Sequence, residues 1–302
     1  MLADAGSAWL EPTADGANDR SDLDEVLYHL THDVRAPAKA LAMLSEWVGE
    51  DLGAEVLARS PEVAQHLADM RVQASRLDRM LADLAAYARI GRTDAQDEVL
   101  DLADLVQGLA KDQDQDQRRG PGTQLTLHLA LEISTIKAPR VDLSAILAAL
   151  LDNAARHHDR PTGHVMITST VDASGTIVLS VTDDGPGIPA AQQHNVFSLM
   201  TTLRSRDEVD TSGVGLALVR KGVARLGGTV AIAPAIAPAI APAIVSALPP
   251  ADSPRGTRVE IRLPAARAAH QPARQRRGQP EPQHDVPSTG QQSNQKTGHN
   301  TT

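Results

Sequence analysis

Apolar residues recur at alternating steps of four and three between residues 23 and 88. The pattern falls into two segments, with the positions Leu23, Leu27, Leu30, Val34, Pro37, Leu41, Leu44 and Val48, then Val63, Leu67, Met70, Ala74, Leu77, Leu81, Leu84 and Ala88. This spacing is typical of helices that pack along a narrow seam. We therefore predict a helical hairpin with a break near Arg59, Ser60 as N-cap and Pro61 as the first residue of the second helix.

A hairpin with one apolar stripe on each helix cannot cover both stripes by itself. We therefore predict that two copies of the chain form a homodimeric four-helix bundle over residues 21–91. In this register Leu30 and Val34 lie on the seam, and His32 between them points into solvent. Pro37 falls on the seam, so we expect a bend there.

The pattern changes beyond Gly91, where strand-like and helix-like segments alternate. Helices are predicted over 102–111, 141–158 and 213–228, and strands over 123–131, 164–171, 176–183 and 257–263. The strands 164–171 and 176–183 are joined by DASG, which is typical of an antiparallel hairpin. We predict an α+β sandwich over residues 95–264, with the helices on one face of antiparallel strands.

Three segments do not resemble a folded core. Residues 1–20 and 265–302 are polar and rich in Gly, Pro or Gln, and we expect both to be disordered. The IAPA repeat at 232–244 is predicted to be an extended low-complexity insertion. Its uncharged surroundings are long enough to span a membrane, but its repeated prolines argue against a spanning helix.

Composition excludes some classes of function. The formal net charge is −9 at pH 7, which argues against non-specific binding of nucleic acid. The chain has no cysteine, so it has neither a disulfide framework nor a thiolate metal site. The first residues show no basic region followed by an apolar core, as a signal peptide would, and we expect a cytoplasmic protein without membrane insertion.

Three motifs of the second half carry candidate chemistry. Asn153 stands on a helix with Arg156 and His157, where an amide oxygen suits Mg²⁺ and a guanidinium suits phosphate. Asp183 ends a strand and precedes Gly185 and Gly187, so its carboxylate is placed to accept from an exocyclic amine such as that of adenine. A plain Asp-Gly turn is the alternative.

The third motif is Gly213 and Gly215 before a helix, which is typical of a phosphate site. The loop TTLRSRDEVDTS at 201–212 lies between the second and third motifs. Earlier in the chain, HDVRAP contributes His32 beside Asp33. Each motif alone is weak, and an exposed histidine is most often only a solvated side chain, but the order and spacing together favour a nucleotide site with a phosphate acceptor.

Residues 20–264 resemble a bacterial two-component sensor histidine kinase, closest to the phytochrome-type and related soluble kinases. The matching positions are His32, Asp33, Arg35 and Pro37 in the H-box, Asn153 in the N-box, Asp183, Gly185 and Gly187 in the G1-box, Phe197 in the F-box, and Gly213 and Gly215 in the G2-box. The resemblance implies a helical hairpin followed by an ATP-binding α/β sandwich of the gyrase, Hsp90, histidine kinase and MutL type.

The resemblance also implies roles for these residues. His32 would be the phosphoacceptor and Asp33 its orienting base. Asn153 would bind Mg²⁺, Asp183 the adenine amine of ATP, and the glycines the phosphates. The phosphoryl group would pass to an aspartate in the receiver domain of a response regulator, and a separate sensor protein is a further expected partner.

Four positions depart from the family pattern. Ala149, Thr211 and Met200 replace an N-box Asn, a G2 glycine and an F-box Phe, and Ala36 stands where family phosphatases carry Thr or Asn. The resemblance therefore implies weak phosphatase activity. Two alternatives stay open: an ATPase or serine kinase on the same fold, and a degenerate dimeric scaffold that binds a response regulator.

Overall fold

The computed structural model describes residues 17–92, 95–115, 123–203, 211–233 and 255–268, with side chains from residue 24 and, in the second range, up to residue 112. Its helices are α1 (Ala17–Arg59), α2 (Pro61–Arg89), α3 (Leu102–Gln115), α4 (Arg140–His157) and α5 (Gly215–Arg225). Its strands are β1 (Glu98–Asp101), β2 (Gln124–Leu131), β3 (Thr135–Ala138), β4 (Thr162–Val171), β5 (Ile177–Asp183), β6 (Thr229–Ala233) and β7 (Arg258–Leu263).

Helices α1 and α2 form the predicted hairpin. Helix α2 begins at Pro61 with Ser60 as N-cap, as the sequence indicates. Gly53 has non-helical dihedral angles (φ 72°, ψ 158°) inside α1, while Pro37 lies within the helix. The helical dihedral angles are interrupted at Gly53, where glycine adopts positive φ without a steric penalty. The bend expected at Pro37 stays a prediction.

Within one chain, the fully buried side chains described in α1 are small and lie outside the predicted seam. Thr31, Ala38 and Ser45 are buried at seven-residue intervals, and both hydroxyls donate to carbonyls of their own helix. Helix α2 does bury predicted seam residues, namely Leu67, Ala74, Leu81 and Ala88. Six large seam residues stay exposed in the single chain, namely Leu30, Leu41, Leu44, Val48, Val63 and Met70, while Leu27, Val34, Leu77 and Leu84 are half-buried.

A five-stranded sheet of order β2-β4-β5-β7-β6 forms the second part of the structure. Its pairs are antiparallel except for β2 and β4, which are parallel, so the all-antiparallel expectation is wrong at that pair. A parallel neighbour requires a long crossover, here the segment with β3 and α4. Helices α3, α4 and α5 share one buried hydrophobic cluster with the sheet.

Three strands were not predicted from the pattern. Strands β1 and β3 are short and pair with each other in a separate two-stranded sheet. Strand β6 pairs with β7 and ends at Ala233, so the first two residues of the IAPA repeat belong to the sheet. Ile232 is buried there, and this burial explains why the repeat enters the fold. Residues 234–244 of the repeat lie outside the described residues.

The predicted disordered ends are corrected where the structure describes them. Residues 17–20 belong to α1, and Ala265–Arg267 forms a 3₁₀ helix. Arg267 donates to the carbonyl oxygens of Leu226 and Lys137 and pairs with Asp97, which fixes this segment. Residues 1–16 and 269–302 lie outside the described residues. Among the helices that are described, none combines the length and apolarity needed to cross a membrane.

Candidate functional site

A cavity of about 1180 Å³ opens between α2, α4, the start of α5 and the turn after β5. Drug-sized ligands occupy pockets of roughly 300–1,000 Å³, so a nucleotide fits this volume. The predicted site residues that line the cavity are Asn153, Arg156, His157, Asp183, Gly187, Gly213 and Gly215. The tertiary structure therefore brings three separate sequence motifs to one place.

Asp183 lies at the end of β5 and is fixed by two backbone groups. Its Oδ1 accepts hydrogen bonds from the N–H groups of Gly185 (2.9 Å) and Thr257 (3.2 Å). Burial raises the pKa of Asp183, while these two hydrogen bonds act in the opposite direction. The result is an oriented, half-buried carboxyl group that can recognise an amine donor in the cavity.

Glycine is required where the loops around the cavity approach one another. Gly213 has φ +71°, and a Cβ there would lie 2.8 Å from the Met200 carbonyl carbon and 2.8 Å from Thr201 O. Gly256, which the sequence analysis missed, has φ +97°, and a Cβ there would lie 2.2 Å from Asp183 O. Both positions admit only glycine because the neighbouring atoms belong to the backbone.

Helix α4 supplies the opposite wall of the cavity. Its Ala145, Ala148 and Ala149 leave space, and Asn153 and His157 lie further along the same wall. The Nε of Arg156 donates to Asp152, one turn earlier, so in this structure the predicted phosphate ligand is paired with a carboxylate. Ala149 leaves additional space in the cavity, because it stands at a position where the family pattern has the larger side chain of asparagine.

A buried contact between a histidine and a carboxylate supports the turn that holds Asp183. The Nε2 of His158 lies 3.0 Å from Asp184 Oδ1, and the N–H of His164 donates to the same oxygen at 2.7 Å. Burial would raise the pKa of Asp184, but the hydrogen bonds from His164 and His158 bring the pKa below its ordinary value. His158 and Asp184 were not predicted as site residues, and the second Asp of DDG is the sequence signal that points to Asp184.

The hairpin itself forms one side of the cavity. The α2 residues that line it are Arg76, Arg79, Met80, Asp83 and Ala86. The Oδ2 of Asp83 accepts a 2.6 Å hydrogen bond from the hydroxyl of Ser212, beside the glycine turn. These residues carry no motif, and only the folded chain brings them to the cavity.

Three further positions of the family pattern can be located. Phe197 is buried in the hydrophobic cluster of the sheet. Met200, in place of the second F-box Phe, is exposed and has φ 60°, which is rare for a residue other than glycine. Thr211 lines the cavity. Residues 204–210 of the predicted loop lie outside the described residues.

His32 and Asp33 stand on the open surface of α1. Their side chains are 82% and 80% exposed, and His32 Nδ1 lies 3.3 Å from Asp33 Oδ1. Arg35 forms a 3.5 Å ion pair with Asp78 of α2, which links the two helices below the histidine. Neither His32 nor Asp33 is among the described residues that line the cavity. The structure therefore shows the His32–Asp33 pair and the cavity at two separate places.

The hairpin contacts α5 through Lys221. Its Nζ donates to Asp24 Oδ2 at 2.6 Å and to the Tyr87 carbonyl oxygen at 2.9 Å, and it lies 4.3 Å from the centre of the Tyr87 ring. Burial lowers the pKa of Lys221, although the hydrogen bond that Lys221 donates to Asp24 acts in the opposite direction. These contacts hold the start of α1 and the end of α2 against the domain that carries the cavity.

Comparison with known families identifies the domain around the cavity. Residues 138–267 match the family described as "Histidine kinase-, DNA gyrase B-, and HSP90-like ATPase". Full-length ShkA in complex with AMPPNP is a structural neighbour with a TM-score of 0.54 and 20% sequence identity, over 80% of this chain and 46% of ShkA. At this level of identity the similarity supports the fold.

Curated relatives extend the similarity to the hairpin. The chain is 26% identical over 200 residues to the adaptive-response sensory kinase SasA of Synechococcus sp., covering 66% of this chain and 52% of SasA. It is 31% identical over 212 residues to the probable sensor histidine kinase TcrY of Mycobacterium tuberculosis, covering 67% and 41%. It is 28% identical over 241 residues to the histidine-protein kinase/phosphatase MprB of Mycobacterium bovis, covering 78% and 43%. The chain thus spans about half the length of these relatives.

Proposed function

Because the chain is a relative of the sensor histidine kinases and carries their ATPase domain at residues 138–267, we propose that it is an ATP-dependent protein-histidine kinase. It phosphorylates His32 and passes the phosphoryl group to an aspartate of a response regulator. The observation that carries this proposal is the pairing of a nucleotide-sized cavity containing Asn153, Asp183 and Gly213 with an exposed His32–Asp33 pair on a helical hairpin.

The cavity residues fit a nucleotide. The Asp183 carboxyl group is fixed by two N–H groups and is available to accept the exocyclic amine of adenine. The turn at Gly213 leads into α5, where backbone N–H groups favour phosphate. Asn153 offers a neutral oxygen to Mg²⁺, which binds oxygen ligands and keeps several waters. ATP with Mg²⁺ supplies the phosphoryl group and neutralises its charge in the transition state.

The phosphoacceptor pair is arranged for nucleophilic attack. Asp33 accepts from the Nδ1–H of His32, which selects the tautomer with a lone pair on Nε2. His32 Nε2 forms a bond to the γ-phosphorus of ATP as the bond to the β,γ-bridging oxygen breaks and ADP leaves. The carboxylate of Asp33 stabilises the positive charge that the phosphorylated imidazole then carries. High exposure suits a group that must meet first the nucleotide and then a second protein.

The hairpin at residues 21–91 is the proposed dimerisation and phosphotransfer domain. The exposed apolar residues Leu30, Leu41, Leu44 and Val48 form a stripe along α1, and a second copy would cover it in a four-helix bundle. Residues 95–264 are the proposed ATP-binding domain. The expected partners are a second copy of this chain, a receiver domain and a separate sensor protein, and the expected location is the cytoplasm.

The proposal is tested by incubating the chain with Mg²⁺ and γ-labelled ATP. We expect label that is labile in acid and stable in alkali, and its loss in His32→Ala. The matched control is His29→Ala, because His29 lies one turn away on the same helix and its side chain is 65% exposed without belonging to the site. The control should retain the label.

Other outcomes favour the alternatives. Acid-stable label would indicate phosphorylation of a serine, and ATP hydrolysis without label would indicate an ATPase. Nucleotide binding without turnover would support a docking scaffold. Because Ala36 stands beside the acceptor, we also expect little dephosphorylation of the phosphorylated receiver domain, and rapid dephosphorylation by this chain would contradict that expectation.

A further inference from the structure

Helix α2 carries a carboxylate, Asp83, into the cavity that we propose for ATP. The hydroxyl of Ser212 donates to Asp83 Oδ2 at 2.6 Å. Ser212 is buried and immediately precedes the turn at Gly213. A residue of the hairpin is therefore fixed directly to the segment that is placed to hold the phosphates.

The same hydroxyl occupies a backbone donor of the phosphate segment. The N–H of Val214 donates to Ser212 Oγ at 3.2 Å, and Val214 is the N-cap of α5. The N–H groups at the start of a helix lack partners within the helix, and they are the groups that bind phosphate at helix N-termini. The chain of contacts from Asp83 through Ser212 to Val214 thus engages a donor that bound phosphate would use.

The surroundings of Asp83 disfavour a further negative charge. Burial raises the pKa of Asp83, and the nearby carboxylate of Asp152 adds to that effect, although Ser212, Arg156 and Arg79 oppose it. Asp83 and Asp152 both line the cavity. A polyphosphate that enters would add negative charge beside two carboxylates. Arg76, Arg79 and Arg156 line the same cavity, so the phosphates would also compete with Asp83 and Asp152 for these positive charges.

We propose that Asp83 is an electrostatic gate that makes binding of a nucleoside polyphosphate and docking of α2 on the ATP-binding domain mutually unfavourable. The inference rests on the proposed function, because it requires ATP in this cavity. Phosphates entering at the glycine turn repel Asp83 and compete for the donor that Ser212 holds. By linkage, docking of α2 lowers the affinity for ATP by the same factor by which ATP weakens docking.

The gate gives a reason for the separation of the two proposed sites. His32 does not belong to the described residues that line the cavity. In this proposal, transfer of the phosphoryl group to the histidine of the same chain therefore follows release of the domain from its docked position. A gate that responds to phosphate makes this release depend on the nucleotide that carries the phosphoryl group. Adenosine alone would occupy the end of the cavity near Asp183 and leave Asp83 docked.

The first experiment measures the affinities of the full chain for Mg²⁺-ATP and for adenosine by calorimetry, in the wild type and in Asp83→Asn. Asparagine keeps the shape and the oxygen that accepts from Ser212 but removes the charge. We expect ATP to bind roughly fivefold or more tightly in the variant, and adenosine to bind unchanged. Asp69→Asn is the matched control, because Asp69 is exposed on the same helix and pairs with Gln65.

Unchanged or weaker binding of ATP in Asp83→Asn would overturn the gate. An equal gain in affinity for ATP and for adenosine would also overturn it, because it would indicate a larger cavity and not an effect of charge. Asp83→Ala is a second variant that should show the same preference for ATP. If the wild type binds no ATP, and Asp183→Asn does not change the affinity for adenosine, then the proposed function fails. Binding of ATP by the wild type, lost in Asp183→Asn, with no effect of Asp83→Asn, contradicts the gate alone.

The second experiment measures the reciprocal effect in His32→Ala, so that phosphorylation does not interfere. Small-angle X-ray scattering should show a larger radius of gyration with Mg²⁺-ATP than with adenosine. The same measurement on Asp83→Asn in the His32→Ala background should show a smaller difference between the two ligands. Equal radii with ATP and adenosine in the presence of Asp83 would contradict the coupling.

Discussion

The hairpin and the ATP-binding domain use apolar residues in opposite ways. The domain buries Phe197, Leu147 and Ile167 in one cluster that is closed within the chain. The hairpin leaves Leu41, Leu44 and other large residues about half exposed, and buries mainly small side chains between its helices. The difference indicates that the domain folds around its own core, whereas the hairpin keeps an apolar stripe that we propose a second chain covers.

Their chemical groups differ in the same sense. His32 and Asp33 are exposed and contact each other, whereas Asp183 and Asp184 are held by backbone N–H groups from neighbouring segments. A phosphoacceptor has to be reached by two different bodies and gains from exposure. A nucleotide site gains from groups that are oriented before the ligand arrives.

The largest expected effect is on the core of the domain. Phe197→Ala should lower the free energy of unfolding of the domain by about 3–5 kcal/mol, because it empties a fully buried site. Both Trp and both Tyr residues lie outside 95–264, so hydrogen exchange of the β5 amides is the suitable measurement. Leu41→Ala, in the hairpin, should leave that exchange unchanged. A similar loss in both variants would contradict a self-contained domain.

The second effect separates two adjacent carboxyl groups. Asp184→Asn should lower the free energy of unfolding by about 1.5–3 kcal/mol at neutral pH, because the buried His158 and the His164 N–H lose a charged acceptor. The folded-state pKa of Asp184 is below the ordinary 3.8, so its contribution is present above that pH and is lost as the pH falls through the lower folded value. Wild type and variant should therefore converge in acid.

Asp183→Asn should show the opposite sign. The folded-state pKa of Asp183 is raised above 3.8, so its protonated form is favoured and the wild type loses stability as the pH rises through the raised value. The variant should match or exceed the wild type at neutral pH while losing its affinity for adenosine. Urea unfolding at a series of pH values measures the free energy of unfolding of both variants and of the wild type. If the two variants changed this free energy in the same direction at neutral pH, the result would contradict the two environments assigned to Asp183 and Asp184.

The third effect concerns the seam of the hairpin. Leu44→Ala should weaken self-association roughly tenfold or more, since a leucine that becomes buried contributes about 1.5–3 kcal/mol. Met43→Ala is the matched control, because Met43 is exposed to a similar extent but lies outside the heptad positions. Sedimentation equilibrium gives both dissociation constants. A larger effect of Met43→Ala than of Leu44→Ala on the dissociation constant would indicate that the chain self-associates through another face of α1.

The smallest effect is expected at the repeat. Strand β6 ends at Ala233, so deletion of residues 234–243 removes no residue of the described strands. We expect the affinity for ATP to stay within about twofold of the wild type, because the deletion removes no residue of the described core cluster and loop length has a small effect on stability. Calorimetry with Mg²⁺-ATP measures it, and loss of folding would show that the repeat is structural.

Much of the fold follows from local patterns. The heptad, Ser60 and Pro61 predict the helical hairpin. Alternating apolar and polar residues predict β2, and the strand-like segments on either side of DASG predict β4 and β5. Strands β1, β3 and β6 were missed because a segment of only four or five residues carries too little pattern. The parallel pairing of β2 with β4 was also missed, since strand direction depends on the path of the connecting segment.

The residues of the candidate site also differ in whether the local sequence predicts them. Asp183 and Gly213 stand in motifs, whose local geometry is set by the residues beside them. Asp83 and Gly256 have no such signal, because their importance depends on Ser212 and on Asp183, which are distant in the chain. A contact between residues that are distant in the chain produces no periodic pattern in the sequence of either segment.

The sequence by itself determined the helical hairpin, the glycine turns and the chemistry of His32 and Asp183, because periodicity, capping and side-chain type act within a few residues. The tertiary structure decided which face of α1 meets α2, and that Thr31 and Ala38 are buried there while Leu44 is left for another surface. It also decided that Asp83 joins the cavity. These choices depend on packing between segments that only the folded chain brings together.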